Sequence, residues 1–319
     1  MRSFVQRQEH LLPQVGQCVA AVSGGADSLA LVWAASLELS RAGHRLQGLI
    51  IDHQLQPNSS EVAERARQQV ESLGVEAVVL RVEVGAAGGV EKAARDARYQ
   101  AMEKFANENS ADACLLAHTL DDQAETVLLG LTRGSGPRSI AGMREVSGLW
   151  WRTFLGIRRE TLKRALRDAG MSWWDDPLNH DRRFTRSRIR NQIMPMLEKT
   201  LGPGIAEALA RTAQLVRDDN DFLDGLADRA SPTAVQGTNL NLDKLQELPH
   251  VIASRVIRTA VSSVTGEALS HAHTTAVMAL VTDWKGQGPI DVPGGTVRRV
   301  GSELVVTKTS SSSAAGETH

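Results

Sequence analysis

The chain has 319 residues, 42% hydrophobic and 23% charged, which is enough for two domains with separate cores and excludes a disordered or fibrous protein. Its 36 basic and 37 acidic residues leave a net charge of −1, so no global basicity marks a nucleic-acid partner and any such signal must be local. Two cysteines form no CxxC pair for zinc, an iron–sulfur cluster or redox chemistry, and no apolar run reaches the roughly 18 residues of a membrane span.

The start, MRSFVQRQEH, is polar and has no secretory leader, which predicts a cytoplasmic protein with no membrane partner. Residues 17–22 then read as a strand, 27–41 as a helix closed by Gly43, and 46–52 as a second strand. A helix over 60–73 has apolar Val62, Ala66, Val70 and Leu73 at helical spacing and Gly74 at its end. A strand over 76–84, a long helix over 90–109, a strand over 113–118 and a helix over 120–133 follow. Cys18 and Cys114 lie in these apolar strands and read as buried thiols. Four strand–helix units with nearly continuous apolar strands predict an α/β fold, with a doubly wound, mostly parallel sheet covered on both faces.

After Gly134-Ser135-Gly136-Pro137 the character changes. Residues 139–157 look extended, 158–170 form a charged amphipathic helix, 173–185 a polar loop, and 186–200 a helix kinked near Pro195. Gly202-Pro203 opens a long helix through Arg229, with Pro at a tolerated first-turn position. Two more helices are expected near 243–265 and 270–284. TVRRV-GS-ELVVTK reads as a hairpin turning at Gly301-Ser302. This predicts a smaller, mainly helical C-terminal domain with a β-hairpin over 201–308, after a first domain of residues 1–200. A low-complexity tail over 309–319 is expected to be disordered.

In a parallel sheet, ligands bind beyond the C-terminal strand ends. The first strand ends in Ser23-Gly24-Gly25-Ala26-Asp27-Ser28, the second in Asp52-His53, the third leads to the glycine-rich stretch 85–89, and the fourth ends in His118-Thr119-Leu120-Asp121-Asp122. SGGADS has the parts of an anion cradle: glycines that admit backbone N–H groups, a helix N-terminus, and two hydroxyls. No Lys follows it, so it is no Walker A loop, and it is not GxGxxG. In the fourth-strand segment, Asp121 and Glu125 share one helix face, and Asp122 and Thr126 another. Acids simply favour a helix N-terminus, so alone this cluster is equally a cap.

The local basic signal lies between Arg152 and Arg190, where eleven Lys/Arg face five Asp/Glu, a local net of +6. Four of the six tryptophans lie in or beside it. Basic residues interleaved with aromatics suit phosphate contact and base stacking on single-stranded RNA. Trp150 and Trp151 read as core, and Trp173 and Trp174 as candidates for the surface. Arg186, Arg188 and Arg190 alternate around a helix start and cannot all face one ligand. Arg190 or Arg186 is the candidate to neutralise developing phosphate charge.

SGGADS after a first strand resembles the signature of the PP-loop (N-type) ATP pyrophosphatases, a Rossmann-like superfamily. Within it, IDHQLQPNSSEVAE, EKAARDARYQAM, LLAHTLDDQAETVLLGLTRGSGPRSIAGM and WWDDPLNHDRRFTRSRIRNQIMPMLE resemble the tRNA(Ile)-lysidine synthetase family from about residue 15 to 200. HTLDDQAET is the most specific stretch, and DVPGGTVRRVGSELVV is a weaker match to that family's substrate-recognition domain. The chain would be a short form of it.

The resemblance implies a ligase that adenylates the wobble cytidine of tRNA(Ile) with a CAU anticodon and displaces AMP with free lysine. Its cofactors would be ATP and Mg²⁺, and a homodimer is left open. Ser23, Gly24, Gly25, Ala26, Asp27, Ser28 and His53 would bind the nucleotide. Asp27, Asp121, Asp122, Glu125 and Arg190 would be catalytic, with Asp27 and Asp122 on the metal. Arg95, Arg98, Arg182, Arg183 and Arg186 would touch the RNA. A free lysine amine has a pKa of about 10.4, so a carboxylate must collect it and something must take its proton. The chain departs from the family where it has Gln54 and Gln56 for Gly and Arg, Thr153 for Pro, and Leu178 for Ser. A tRNA thiolase would need further cysteines, a GMP-synthetase-like amidase an ammonia-source domain, and a nucleotide sensor less than this carboxylate set.

Overall fold

The computed structural model describes residues 1–54, 58–82, 90–134 and 136–309. The glycines over 85–89, Gln56, Ser135, the side chains of Glu91 and Leu178, and the tail from residue 310 lie outside the described residues. The chain divides into two compact units, Met1–Thr132 with Gly142–Ala213, and Arg133–Ala141 with the residues from Gln214 onward.

The first unit is built on a six-stranded sheet. After helix α1 (Arg2–Gln8), strand β1 (Gln17–Val22) lies inside the sheet, followed by α2 (Ala26–Arg41). Then come β2 (Arg45–Asp52), α3 (Ser59–Ser72), β3 (Glu76–Arg81), α4 (Val90–Glu108), β4 (Ala113–Leu115) and α5 (Leu120–Arg133). After a short α6 (Pro137–Ile140) come β5 (Val146–Ser147), β6 (Trp150–Trp151) and α7 (Arg159–Asp168). The strand order is β3-β2-β1-β4-β6-β5, all parallel except β5. The chain winds from β1 outward through β2 and β3, then returns to place β4 on β1's other side. The strand order therefore reverses between β1 and β4, which opens a crevice beyond their C-terminal ends.

Alternation along β1 shows why the strands read as continuously apolar. Cys18, Ala20 and Val22 pack in one core with α2, α3 and α7, while Val19 packs in another with Met102 and Phe105 of α4. A strand buried on both faces has no polar side to display. Trp151 is buried and Trp150 half-buried. Trp151 meets Phe4 edge-on at 5.7 Å. Phe4 and Val5 make α1 a core element, which the polar look of its sequence hid.

Three expectations for local structure change. Residues 139–157 hold α6 and two two-residue strands rather than one extended run. The helix expected over 186–200 is α8 (Thr185–Arg188), a π-turn (Ile189–Ile193) and α9 (Met194–Leu201). Pro195 has no N–H to offer the Asn191 carbonyl, and its ring crowds that carbonyl. The helix widens there, and the Met194 N–H reaches back five residues to the Ile189 carbonyl. The segment expected as one helix near 243–265 is α11 (Leu242–Gln246) and α12 (His250–Thr265), separated at Pro249, the N-cap of α12.

The long helix α10 (Ile205–Ala234) starts after Pro203 and holds Pro232 inside its last turn. In the second unit, α11, α12 and α13 (His271–Thr282) accompany β7 (Val235–Gln236), β8 (Asn239–Asn241), β9 (Ile290–Val292), β10 (Gly295–Val300) and β11 (Glu303–Lys308). The β10–β11 hairpin turns at Gly301-Ser302, with Val300 opposite Glu303. It belongs to a five-stranded antiparallel sheet, β7-β8-β11-β10-β9, whose other strands are too short to show a period. Among the described residues no helix is long and apolar enough to cross a membrane.

Candidate active site

The glycine turn leaves β1 and enters α2. Gly24 has φ +79°, in the region where a side chain is strained. The Ser28 hydroxyl stitches the turn, accepting from the Ser23 N–H at 3.2 Å and donating to the Gly25 carbonyl at 3.0 Å. From the far side, the Trp174 N–H donates to the Gly24 carbonyl at 3.2 Å. The turn therefore has a fixed shape, with the N-terminus of α2 and its partial positive charge behind it.

HTLDDQAET follows β4, and each of its polar residues has a distinct place. Asp122 is buried, and its Oδ2 accepts from the Thr119 N–H at 2.8 Å and the Thr119 hydroxyl at 2.7 Å. The Gln123 amide bonds both backbone groups of Met143, docking the chain that leads to β5. The Thr126 hydroxyl donates to the Asp122 carbonyl and accepts from Arg186 at 3.2 Å.

Two arginines join the turn to this helix. Arg159 donates from Nε to Asp27 Oδ2 at 2.8 Å and from Nη2 to Asp122 Oδ1 at 2.8 Å. Arg190 bonds Asp122 Oδ1 at 2.9 Å and Glu125 through two contacts of 2.8 and 3.1 Å. Burial works against ionisation of Asp122, but Arg159, Arg190 and the Thr119 donors overcome it and hold the carboxyl at about 2. Asp27 and Glu125 are left above the ordinary carboxylate range, because burial outweighs their arginine partners. Arg190 was expected here. Arg159 was not, because its residue pair with Arg158 reads as the start of a charged helix.

The carboxylates front two cavities. The larger, about 560 Å³, is lined by the glycine turn, Asp27, His53, Arg98, Asp122 and Trp174, among others. The smaller, about 280 Å³, is lined by Asp121, Glu125, Glu198, Arg158, Met194 and Pro195, with Arg159 and Arg190. Arg159 and Arg190 face both cavities. Asp121 also accepts the Arg159 N–H at 2.7 Å and pairs with Arg158 at 3.2 Å, so it anchors the start of α7.

Among the residues lining the larger cavity, buried polar atoms of His53 (Nδ1), His118 (Nδ1) and Arg98 (Nε) have no protein partner. Such atoms are open to a ligand. Asp52 has a different role: it accepts from the Gln54 N–H and the Ser60 hydroxyl and shapes the turn after β2. Gln54 takes φ +54°, a conformation that favours Gly. Thr153 is buried with an unpartnered hydroxyl.

Burial pushes the His118 imidazole down to about 4, against the pull of Asp122, so it is neutral at pH 7. The unfolded chain takes up that proton near pH 6.5 and the folded chain only near 4, so stability is lost as pH falls through this window. The expected loss is about 2 kcal/mol between pH 6.5 and 5. Urea unfolding of wild type and His118→Gln at both pH values checks it. An equal drop in the two proteins would assign the loss to another group.

The expected RNA-facing residues separate. Arg98 and Arg186 line the larger cavity, while Arg95 is exposed and stacks over Tyr99 at 5.0 Å. Arg183 is held by Asp181, and Arg182 is exposed. Arg186 and Arg190, four residues apart, face one cavity as i,i+4 neighbours on a helix do, and Arg188 between them points elsewhere, to Thr185. Among the described residues no group of three or more His, Cys, Asp or Glu could hold a metal by itself. Asp27 and Asp122 nevertheless fit Mg²⁺, which takes one or two carboxylates and completes its shell with phosphate and water. Asp27 Oδ1 is buried and without a partner.

The chain matches the PP-loop domain family over residues 2–197 and the TilS substrate binding domain family over residues 240–305. It is 50% identical over 289 residues to the tRNA(Ile)-lysidine synthase of Mycobacterium bovis, covering 89% of this chain and 86% of that protein. It is 49% identical over 284 residues to that of Leifsonia xyli subsp. xyli, covering 87% and 86%. With that of Thermobifida fusca the identity is 44% over 312 residues, 96% of each chain. The U34-tRNA thiolase NcsA from Methanococcus maripaludis, solved with its 4Fe-4S cluster, matches with a TM-score of 0.57 at 14% identity, over 68% of this chain and 80% of that one. That likeness is one of fold, and both cysteines here are fully buried in strands. With a PP-loop domain followed by a TilS substrate binding domain, and relatives this similar over nearly their whole length, the chain belongs to the tRNA(Ile)-lysidine synthase family.

Proposed function

We propose that this chain uses ATP to join free lysine to C2 of the wobble cytidine in tRNA(Ile) with a CAU anticodon. One observation carries the reading beyond family membership. A cavity headed by an anion-binding turn and a cavity lined by carboxylates share Arg159 and Arg190. The first suits a nucleoside triphosphate and the second a cationic amine.

The N–H groups of the glycine turn and the N-terminus of α2 receive the phosphates. His53, at the end of β2, flanks the adenosine. Asp27 and Asp122 would hold Mg²⁺, which would supply charge neutralisation on the triphosphate. The cytidine O2 attacks the α-phosphorus, and the bond to pyrophosphate breaks. Lysine enters the smaller cavity as an ammonium, drawn by Asp121, Glu125 and Glu198. Glu125, which burial makes the readier proton acceptor, takes one proton. The amine then attacks C2, the C2–O bond breaks, and AMP leaves with the former carbonyl oxygen. The cytidine reaches this chemistry by leaving its stack, as bases in an anticodon loop can. Residues 1–200 would carry catalysis, and 201–308 would help to recognise the RNA.

Protein, ATP, Mg²⁺, lysine and tRNA(Ile) with a CAU anticodon are expected to yield AMP and a lysine-mass adduct on the wobble cytidine. AMP release that ignores lysine would sink the reading. Trp173 and Trp174 with Arg98 and Arg186 would hold the splayed loop, and Arg182 a flanking phosphate. Arg182→Ala is expected to weaken tRNA binding and lower its salt slope by about one. Arg183→Ala is expected to do less, because Asp181 already offsets its charge. Filter binding across a salt series checks both, and an unchanged slope for Arg182→Ala would take this loop off the RNA surface.

A further inference from the structure

We infer that Arg159 is the built-in counter-cation of the carboxylate cluster, so that a divalent metal gains its seat only together with the phosphates of ATP. The inference rests on reading the larger cavity as the nucleotide site. Among the described residues, Arg159 alone bonds both Asp27 on the α2 turn and Asp122 on α5, each at 2.8 Å. It also lies 3.6 Å from Glu125 Oε1 and 3.4 Å from the Thr119 hydroxyl. Its side chain is only 15% exposed. Its backbone is held as well, because the Arg159 N–H donates to Asp121 at 2.7 Å. The planar fork of a guanidinium matches this spread of acceptors in a way a lysine ammonium cannot.

The charges set the consequence. Asp27, Asp122 and Glu125 bring three negative charges, and Arg159 and Arg190 return two positive ones. The remainder is too small to draw Mg²⁺ out of a hydration shell it surrenders reluctantly. The phosphates of ATP add negative charge and further oxygen ligands. Asp27 Oδ1, buried and unpartnered, is the protein oxygen left to complete the set. Arg159 is thus a positioning residue: it fixes the glycine turn against the HTLDDQAET helix and makes metal entry depend on nucleotide.

The test uses Mn²⁺ as probe and follows free Mn²⁺ by electron paramagnetic resonance, on the full chain, first without ATP. Wild type is expected to show no stoichiometric site, and to acquire one when ATP is added. Arg159→Gln and Arg159→Ala are expected to bind Mn²⁺ without ATP at least about tenfold more tightly than wild type, since a nearby positive charge is gone. Arg159→Lys, which keeps the charge, is expected to bind as weakly as wild type. Adding Asp122→Asn to Arg159→Gln is expected to abolish the new site. Should the Ala variant not fold, the Gln and Lys variants carry the comparison. Equal Mn²⁺ uptake by wild type and Arg159→Gln without ATP would overturn the inference. AMP release by wild type with lysine and tRNA is measured in parallel. If it is present while Arg159→Gln gains no Mn²⁺, only the role of Arg159 falls; if it is absent, the reading of the site falls.

Discussion

Replacing Asp27 with Ala or Asn is expected to abolish AMP release while leaving the fold at least as stable as wild type. The two halves of this result have one cause. Asp27 sits on the first turn of α2, beside the glycine turn, with one oxygen on Arg159 and the other buried and unpartnered. Burial raises its proton affinity above the ordinary carboxylate range despite the arginine. A folded-state pKa above the unfolded one means that the ionised group costs stability, and that the cost grows as pH rises through the folded value. At pH 7 the fold therefore holds this charge at a loss, which is how a functional group differs from a structural cap. Removing it still leaves Arg159 bonded to Asp122 at 2.8 Å and close to Glu125, so no buried cation is orphaned. Removing it also deletes the carboxylate that would meet metal and phosphate, and the expected fall in AMP formation is on the order of a thousandfold, like other losses of charge stabilisation in a closed site. Thermal unfolding at pH 7 and an AMP assay on the same preparation check the pair. A strongly destabilised variant would make Asp27 a structural residue.

How much of this was legible in the sequence depended on the range of the signal. Strands β1 to β4 and helices α2 to α5 announce themselves locally, through apolar runs and helical spacing, and the glycine turn and HTLDDQAET lie at their joints. Local patterning with the family resemblance put Asp27, Asp122, Glu125 and Arg190 among the candidates, and the structure brings the three carboxylates together around Arg190 and Arg159. Arg159 was illegible because its meaning is long-range. It stands 132 residues from Asp27 and 37 from Asp122, and only the return of the chain through β5 and β6 carries it there. The facing of Arg186 and Arg190 was hidden for another reason. As i,i+4 neighbours they share a helix face, but which face meets the cavity depends on how the chain after α7 packs back on the sheet, which local spacing does not carry. Strands of two or three residues, such as β7 to β9, carry too few positions to show a period at all.

Replacing Glu125 with Gln is expected to separate the two half-reactions. Adenylation of the cytidine, read as pyrophosphate release with tRNA and ATP, should persist within a few-fold. Lysidine formation should fall by about 10²–10⁴-fold, the range for loss of a general base. The geometry supports the split. Glu125 lines the smaller cavity with Asp121 and Glu198, whereas Asp122 faces the larger one. The Glu125 side chain is 2% exposed, and burial, against the pull of Arg190, raises its proton affinity. A base raised in this way loses activity at a higher pH than an ordinary carboxylate would. The lysine step in wild type should therefore decline as pH falls into that raised range, and the decline should be missing from the residual rate of Glu125→Gln. Gln keeps the shape of the side chain, and Arg190 keeps its 2.9 Å bond to Asp122, so Arg190 stays in place between the carboxylates. Single-turnover measurement of pyrophosphate and lysidine across pH decides the matter. Parallel loss of both products would move Glu125 to the adenylation step and leave the proton of the incoming amine to Asp121 or Glu198.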